Sequence, residues 1–159
     1  MNESCIILLS HFPLYTERDF LELTMNLTPL LASFSKTILY FYPKDNTPGC
    51  TMEAQDFTRL KSEFASIGIQ IIGVSKDTEA SHEKFMTSCN LGIKLISDPT
   101  GELHEQFSVV GEKKNYGKIY VGVIRSTFLL DATGKILHEW RNVKATGHAE
   151  KVLREIKSL

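Results

Sequence analysis

The sequence predicts an α/β fold in which a mixed central β-sheet carries helices on both faces. Two apolar stretches, residues 38–42 and 69–74, have the length and composition of buried strands, and a segment with helical spacing lies between them. A strand, a helix and a second strand in succession indicate a right-handed βαβ unit with parallel strands. Two later strand-like segments flank the turn at residues 131–134, which adds an antiparallel hairpin to the sheet.

The helix of the βαβ unit is amphipathic and begins near Cys50. The strand at 38–42 ends at Pro43, because proline cannot donate a hydrogen bond to a neighbouring strand. Gly68 ends the helix before the second strand. In open α/β sheets, sites lie at the carboxyl ends of the strands, so the loop that joins Pro43 to Cys50 is in the position of a site. The apolar face of the helix consists of Ala54, Phe57, Leu60 and Phe64.

The second half of the chain continues this pattern. Asp77 and Thr78 are N-cap candidates for a helix that extends to about Cys89. The remaining elements follow in chain order: a strand at 95–96, a turn at 98–101, a short helix to about Phe107, a polar loop at 111–118, hairpin strands at 121–130 and 135–140, and a helix after Gly147.

The order of the elements matches a thioredoxin-like sandwich, predicted as one domain over residues 1–159. Residues 1–35 are its divergent part. Residues 5–9 have the composition of a strand, whereas residues 17–23 and 27–34 fit either a helical turn or a strand.

Composition and charge argue against several classes of function. A net charge of −1 over 159 residues gives no basic footprint for nucleic acid or an anionic membrane. No apolar stretch is long enough to span a membrane, and the N-terminus lacks the features of a signal peptide. The five histidines do not have metal-ligand spacing. Three cysteines are too few for a secreted disulfide scaffold, which predicts a reducing compartment such as the cytoplasm.

Cys50 is the first candidate for chemistry. It follows the loop Thr47-Pro48-Gly49 and opens a helix, whose free N–H groups and positive dipole end favour a thiolate. The alternative is that Cys50 is a buried small apolar residue, as most free cysteines are. Its position in a loop rather than in an apolar run favours a reactive thiol.

Arg125 is the second candidate. It lies within the predicted strand at 121–130, whose two faces are both mostly apolar. A guanidinium in such a place needs an anionic partner, because an unpaired buried charge is costly. That partner is either a structural carboxylate or the Cys50 thiolate.

Three more residues surround these two in the sequence. The Thr47 hydroxyl could donate to the thiolate or orient a substrate, although an N-cap is a sufficient role for it. Pro43 shapes the loop and shields the sulfur from water, besides ending the strand. Glu53 is adequately explained as a surface carboxylate that the helix dipole favours.

The spacing Pro43-x-x-x-Thr47-x-x-Cys50 resembles the active-site motif of peroxiredoxins, and its surroundings resemble their bacterioferritin-comigratory, or Q-type, branch. The resemblance spans roughly residues 36–159. The stretches that carry it are residues 41–51, 73–77, 81–85, 95–99, 116–118, 125–128 and 147–150.

The resemblance implies that Cys50 is the peroxidatic cysteine and that Arg125 and Thr47 activate it and the peroxide. It implies a thioredoxin-like fold and the reduction of hydrogen peroxide and organic hydroperoxides without metal, haem or flavin. An external dithiol such as thioredoxin would restore the enzyme, which is expected to be a monomer in antioxidant defence.

The chain departs from the branch in its resolving cysteine. Many members carry this cysteine five residues after the peroxidatic one, where this chain has Gln55. Others carry it in the next helix, which makes Cys89 the candidate, unless it is a core thiol. A disulfide needs Cα atoms within about 7 Å, so a bond from Cys50 to Cys89 would require local unwinding. Cys5 and an external thiol remain as alternatives.

Two other functions fit the same fold. A non-enzymatic thiol sensor would form a sulfenic acid at Cys50 but would not turn over with a reductant. A dithiol oxidoreductase of thioredoxin type is disfavoured, because residue 53 is glutamate and the chain has no C-x-x-C motif.

Overall fold

The computed structural model describes residues 27–159, and a five-stranded sheet forms the central layer. The predicted strand at 5–9, the segment 17–23 and Cys5 lie outside the described residues. The elements are β1 (Lys36–Phe41), α1 (Pro48–Ser66), β2 (Ile69–Ser75), α2 (Glu79–Ser88), β3 (Lys94–Ser97), α3 (Glu102–Gln106), β4 (Val110–Asn115), β5 (Lys118–Val123), β6 (Ser126–Asp131), β7 (Ile136–Trp140) and α4 (His148–Lys157).

The central sheet is mixed, as the sequence predicts. Its strand order is β3-β2-β1-β6-β7. Strands β1, β2 and β3 are parallel, whereas β6 runs antiparallel to both β1 and β7. The parallel half is the predicted βαβ unit, and the antiparallel half is the predicted hairpin around the turn at 131–134.

Helices cover both faces of this sheet, which confirms the predicted sandwich. Helices α1, α2 and α4 pack on one face through residues such as Phe57, Phe85 and Val152. The other face is covered by α3 and by a helical segment at residues 27–31. The part of the stretch 27–34 that forms regular structure is therefore helical. β1 is buried between the two layers, since its alternate side chains enter opposite cores.

Local chemistry sets the ends of the helices in the βαβ region. Gly68 follows α1 with φ of 77°, a left-handed conformation that glycine adopts without steric cost. Thr78 is the N-cap of α2, and its hydroxyl accepts a hydrogen bond of 3.2 Å from the backbone N–H of Ser81. Both ends agree with the prediction.

The polar loop predicted at residues 111–118 is wrong, because β4 and β5 form a two-stranded hairpin there. Tyr116 and Gly117 form its turn, and both have positive φ, as the favoured two-residue hairpin turns require. Most side chains of this hairpin are at least partly exposed on both faces, so the sequence has no apolar alternation to mark the strands.

The single strand predicted at residues 121–130 is also wrong, because the chain breaks it into two. β5 ends at Val123 in the small hairpin, and β6 begins at Ser126 in the central sheet. Ile124 and Arg125 connect the two sheets. Because residues 121–130 are mostly apolar, the sequence does not show where the chain leaves one sheet and joins the other. That change depends on contacts between segments that are distant in sequence.

Candidate active site

Cys50 is the third residue of α1 and is buried, with 2% of its surface exposed. Thr47 is the N-cap, and the first helical hydrogen bond runs from the Thr51 N–H to the Thr47 carbonyl at 2.8 Å. The N–H groups of Gly49 and Cys50 therefore have no partner within the helix. These donors and the positive end of the helix dipole favour a negative charge on the sulfur.

The sheet topology brings Arg125 to this helix start. Phe41, the last residue of β1, pairs with Ser126, the first residue of β6. Arg125 thus lies beside the carboxyl end of β1, where the loop to Cys50 departs. The backbone N–H of Val143 donates to the Arg125 carbonyl at 3.0 Å, which fixes the connection between the two sheets.

The Arg125 guanidinium contacts both Cys50 and Glu53. Its Nη2 donates to the Cys50 sulfur at 3.2 Å, and its Nη1 donates to a Glu53 carboxylate oxygen. Burial alone would lower the pKa of Arg125, but Glu53 and Cys50 raise it above its ordinary value. Arg125 is therefore a permanent positive charge shared by the sulfur and the carboxylate. The two partners considered from the sequence, a carboxylate and the Cys50 sulfur, are both present.

Glu53 is fully buried, so its interpretation as a surface carboxylate is wrong. Burial raises the pKa of Glu53 to about 7, although Arg125 acts in the opposite direction. The spacing in the sequence indicates this burial. Residues three apart share a helix face, so Glu53 lies beside Cys50 and next to Ala54 in the buried part of α1. A carboxylate on that face requires a buried cation, which Arg125 provides.

Thr47 and Pro43 lie in the loop that leads to Cys50, and both are half-buried. Thr47 occupies the N-cap position, yet its side chain makes no capping hydrogen bond. Instead, the hydroxyl donates to the Lys44 carbonyl at 2.8 Å. The proton of the hydroxyl is thereby engaged, which leaves its lone pairs available to accept a hydrogen bond from another molecule.

Cys89 is the C-cap residue of α2, and it is a free, half-buried thiol. It packs against the same core cluster that contains Cys50. Its sulfur makes a long hydrogen bond of 3.9 Å to the side-chain oxygen of Asn46, a residue of the loop that leads to Cys50. Cys50 is likewise a free thiol.

Comparison with known proteins identifies the family. The model of the AhpC/TSA family matches residues 15–139. Peroxiredoxin Bcp of Bacillus subtilis is 47% identical over 122 residues, which are 77% of this chain and 78% of the relative. Peroxiredoxin Bcp of Xanthomonas campestris is 46% identical over 121 residues, which are 76% of each chain. The chain belongs to the AhpC/TSA family.

A solved structure agrees with this assignment to the peroxiredoxins. It is that of Xanthomonas campestris bacterioferritin comigratory protein, studied for its alkyl peroxide reduction activity. It has 42% sequence identity and a TM-score of 0.75, and the match covers 82% of each chain. As a peroxiredoxin of the Bcp, or Q, type, the protein is a thiol-dependent peroxidase and not a non-enzymatic sensor.

Two further features of the described residues concern other kinds of site. Within residues 27–159, the structure has no helix with the length and apolar character needed to cross a membrane. In the same part of the chain, no three His, Cys, Asp or Glu side chains are grouped so that they could hold a metal ion.

Proposed function

We propose that Cys50 is the peroxidatic cysteine of this peroxiredoxin and that its substrates are hydrogen peroxide and organic hydroperoxides. The observation that carries the proposal is the contact of 3.2 Å between the Arg125 guanidinium and the Cys50 sulfur at the start of α1. A thiolate is the nucleophilic form of cysteine, and both the cation and the helix start stabilise it. The alkyl peroxide reduction activity of the Xanthomonas relative supports the choice of substrates.

In the proposed reaction, the Cys50 thiolate attacks the terminal oxygen of the peroxide. A sulfur–oxygen bond forms, the oxygen–oxygen bond breaks, and the leaving alkoxide or hydroxide takes up a proton. Sulfur supplies both electrons and becomes a sulfenic acid, so the step needs no metal or organic cofactor. Arg125 and the free N–H groups of α1 stabilise the negative charge as it moves to the leaving oxygen.

Thr47 and Pro43 have supporting roles in this proposal. Because the Thr47 hydroxyl donates to the Lys44 carbonyl, it can accept a hydrogen bond from the O–H of the peroxide and orient the peroxide for attack. Pro43 begins the loop directly after Tyr42 and limits the access of water to the sulfur. Both roles agree with the half-buried positions of the two residues.

We further propose that Cys89 resolves the sulfenic acid. The Cys89 thiol condenses with it, which forms a disulfide and releases water, and an external dithiol such as thioredoxin then reduces the disulfide. The position of Cys89 against the loop before Cys50 supports this choice. We also propose that the enzyme acts as a monomer: Cys50, Arg125 and Glu53 contact one another within one chain, so the proposed site needs no residue from a second copy. A reaction cycle that depends on reduced thiols suits antioxidant defence in the cytoplasm, where thiols are kept reduced.

Peptide mapping without reducing agent, after one equivalent of peroxide, tests both proposals. We expect a disulfide between Cys50 and Cys89. Oxidation confined to another cysteine would contradict the role of Cys50. A sulfenic or sulfinic acid at Cys50 without a disulfide, or a bond to Cys5, would leave Cys50 in place and contradict the role of Cys89.

A further inference from the structure

The loop between β1 and α1 holds helix α2 at both of its ends, through two consecutive residues. Asp45 contacts residues near the start of α2, whereas Asn46 contacts the residues at its end. Cys89 directly follows α2 as its C-cap residue, so the attachment of this helix to the loop before Cys50 limits the movement of the thiol. This inference rests on the proposed role of Cys89 as the resolving cysteine.

The attachment at the start of α2 is buried and involves a charged group. The Asp45 carboxylate is 5% exposed and accepts hydrogen bonds from the Tyr42 hydroxyl at 2.7 Å and the Ser81 hydroxyl at 2.8 Å. His82 Nδ1 lies 2.8 Å from the same carboxylate and donates to it, because an ionised carboxylate only accepts. Burial, followed by the hydrogen bond to Asp45, raises the pKa of Tyr42 well above its ordinary value, so Tyr42 remains a donor.

A second contact reinforces this end. The backbone N–H of Asp45 donates to a carboxylate oxygen of Asp77 at 2.9 Å. The same oxygen accepts a hydrogen bond of 2.7 Å from the Ser75 hydroxyl, at the end of β2. Asp77 precedes the N-cap Thr78, so the loop, β2 and the start of α2 form one connected polar network. Both oxygens of the Asp45 carboxylate have hydrogen-bond partners in this network, whereas His82 Nε2 is buried without a partner among the described residues.

The attachment at the end of α2 is weak by comparison. The Asn46 side chain is exposed, and its oxygen accepts long hydrogen bonds of 3.3 Å from Ser88 and 3.9 Å from Cys89. The last turn has no basic side chain to complement the helix dipole. Phe85 is the last fully buried residue of the helix, and Thr87 and Ser88 after it are exposed.

We propose that Asp45 and Asn46 are positioning residues that hold the two ends of α2 with unequal strength. The last turn, after Phe85, unwinds and releases Cys89 toward oxidised Cys50, while Asp45 keeps the start of the helix docked on the active-site loop. Release then requires loss of the Asn46 contacts and of the packing of Cys89 against the core, but not of the buried network. The released Cys89 thiol attacks the sulfenic sulfur, and the sulfenic oxygen leaves as water.

The test is the rate of disulfide formation in Asn46→Gly after one equivalent of peroxide, measured by rapid quenching and mass spectrometry. Glycine removes the amide and accepts the left-handed backbone of Asn46, whose φ is 59°. Loss of such exposed hydrogen bonds should raise the rate about two- to tenfold. Ser108→Gly, an exposed site with φ of 53°, is the matched control and should have the wild-type rate.

Amide hydrogen exchange of the reduced protein provides a second, independent measurement. We expect amides of residues 86–89 to exchange at least about tenfold faster than those of residues 82–85, and Asn46→Gly to widen this difference. Asp45→Asn should remove most of this difference in exchange, because it weakens the hydrogen bonds that hold the start of α2 and so lets the first turn open. Hydrogen bonds to a charged acceptor are stronger than those to a neutral one.

The outcomes separate the two proposals. An unchanged rate of disulfide formation in Asn46→Gly, or equal exchange along α2 in the wild-type protein, would overturn the unequal attachment while leaving Cys89 as the resolving cysteine. The absence of any Cys50–Cys89 disulfide in the wild-type protein would overturn the resolving role of Cys89 and, with it, the purpose proposed for this attachment.

Discussion

The fully buried Glu53 and the partly buried Arg125 form an ion pair in which one guanidinium nitrogen faces the carboxylate and the other faces the sulfur of Cys50. The pair joins α1 to the connection between β5 and β6, which are distant in sequence. Truncation of one member of such a pair leaves the other charge buried without a partner, which costs about 3–5 kcal/mol. Conservative variants are therefore needed to separate chemistry from stability.

Glu53→Gln should change how the stability of the protein depends on pH. Burial raises the pKa of Glu53 from 4.5 to about 7, so between these values the folded protein binds a proton that the unfolded chain has lost. The contribution of Glu53 to the free energy of unfolding is therefore largest below pH 4.5 and falls by about 3 kcal/mol as the pH rises to 7. Denaturant unfolding of both proteins at pH 4.5 and 7.5 measures this, and a parallel pH dependence would contradict it.

His148→Gln should reveal a dependence of the opposite sign. His148 is buried on α4, its Nε2 lies 2.7 Å from the Thr127 hydroxyl, and burial lowers its pKa from 6.5 to about 4. The folded state keeps His148 neutral, so its contribution is present above pH 6.5 and is lost, by about 3 kcal/mol, as the pH falls to 4. Unfolding curves at pH 4.5 and 7 measure the change.

The shifts of Glu53 and His148 offset each other between about pH 4.5 and 6.5 in the wild-type protein. Each variant removes one of the two shifts. As the pH rises through this interval, Glu53→Gln should therefore gain stability and His148→Gln should lose it. Slopes of the same sign in the two variants would contradict the assignment of either group.

Arg125→Lys should lower the second-order rate constant for oxidation of Cys50 by at least about tenfold. Lysine keeps the positive charge, but a single ammonium cannot reproduce the planar fork that contacts Cys50 and Glu53 together. Stopped-flow oxidation measures the rate constant. Arg59→Lys changes an exposed arginine of α1, the helix that carries Cys50, and is the matched control. A rate constant within twofold of the wild-type value would show that the contact with Cys50 does not assist the chemistry.

Thr47→Val should slow the same step, whereas Thr47→Ser should retain most of the rate. Valine keeps the shape of threonine but removes the hydroxyl, which donates to the Lys44 carbonyl and, in the proposed reaction, accepts a hydrogen bond from the peroxide. Loss of one such orienting contact is expected to cost about tenfold in the rate constant. Equal rates in the valine and serine variants would assign Thr47 a purely structural role.

The prediction was correct for the elements whose apolar residues follow a clear strand or helix pattern. The strands around Leu39 and Ile72, the helix around Phe57 and the N-cap Thr78 lie where the sequence placed them. The exposed hairpin around Gly117 was missed, because its strands have little buried surface from which to infer their period.

The sequence supplies the proposed site residues, whereas it predicts their environment only in part. The spacing Pro43-x-x-x-Thr47-x-x-Cys50 is local, and the sequence displays it directly. The burial of Glu53 and the break before Ser126 depend on which segments of the chain meet in space, and a single sequence does not record those contacts.

The central claim is that Cys50, held against Arg125, is the thiolate that reacts with peroxide. The most direct test is the first turnover of the reduced protein with hydrogen peroxide, followed by stopped flow, for Cys50→Ser and Cys89→Ser. We predict that Cys89→Ser reacts in its first turnover at the wild-type rate and that Cys50→Ser does not react measurably on the same timescale. Rapid oxidation of Cys50→Ser would contradict the claim.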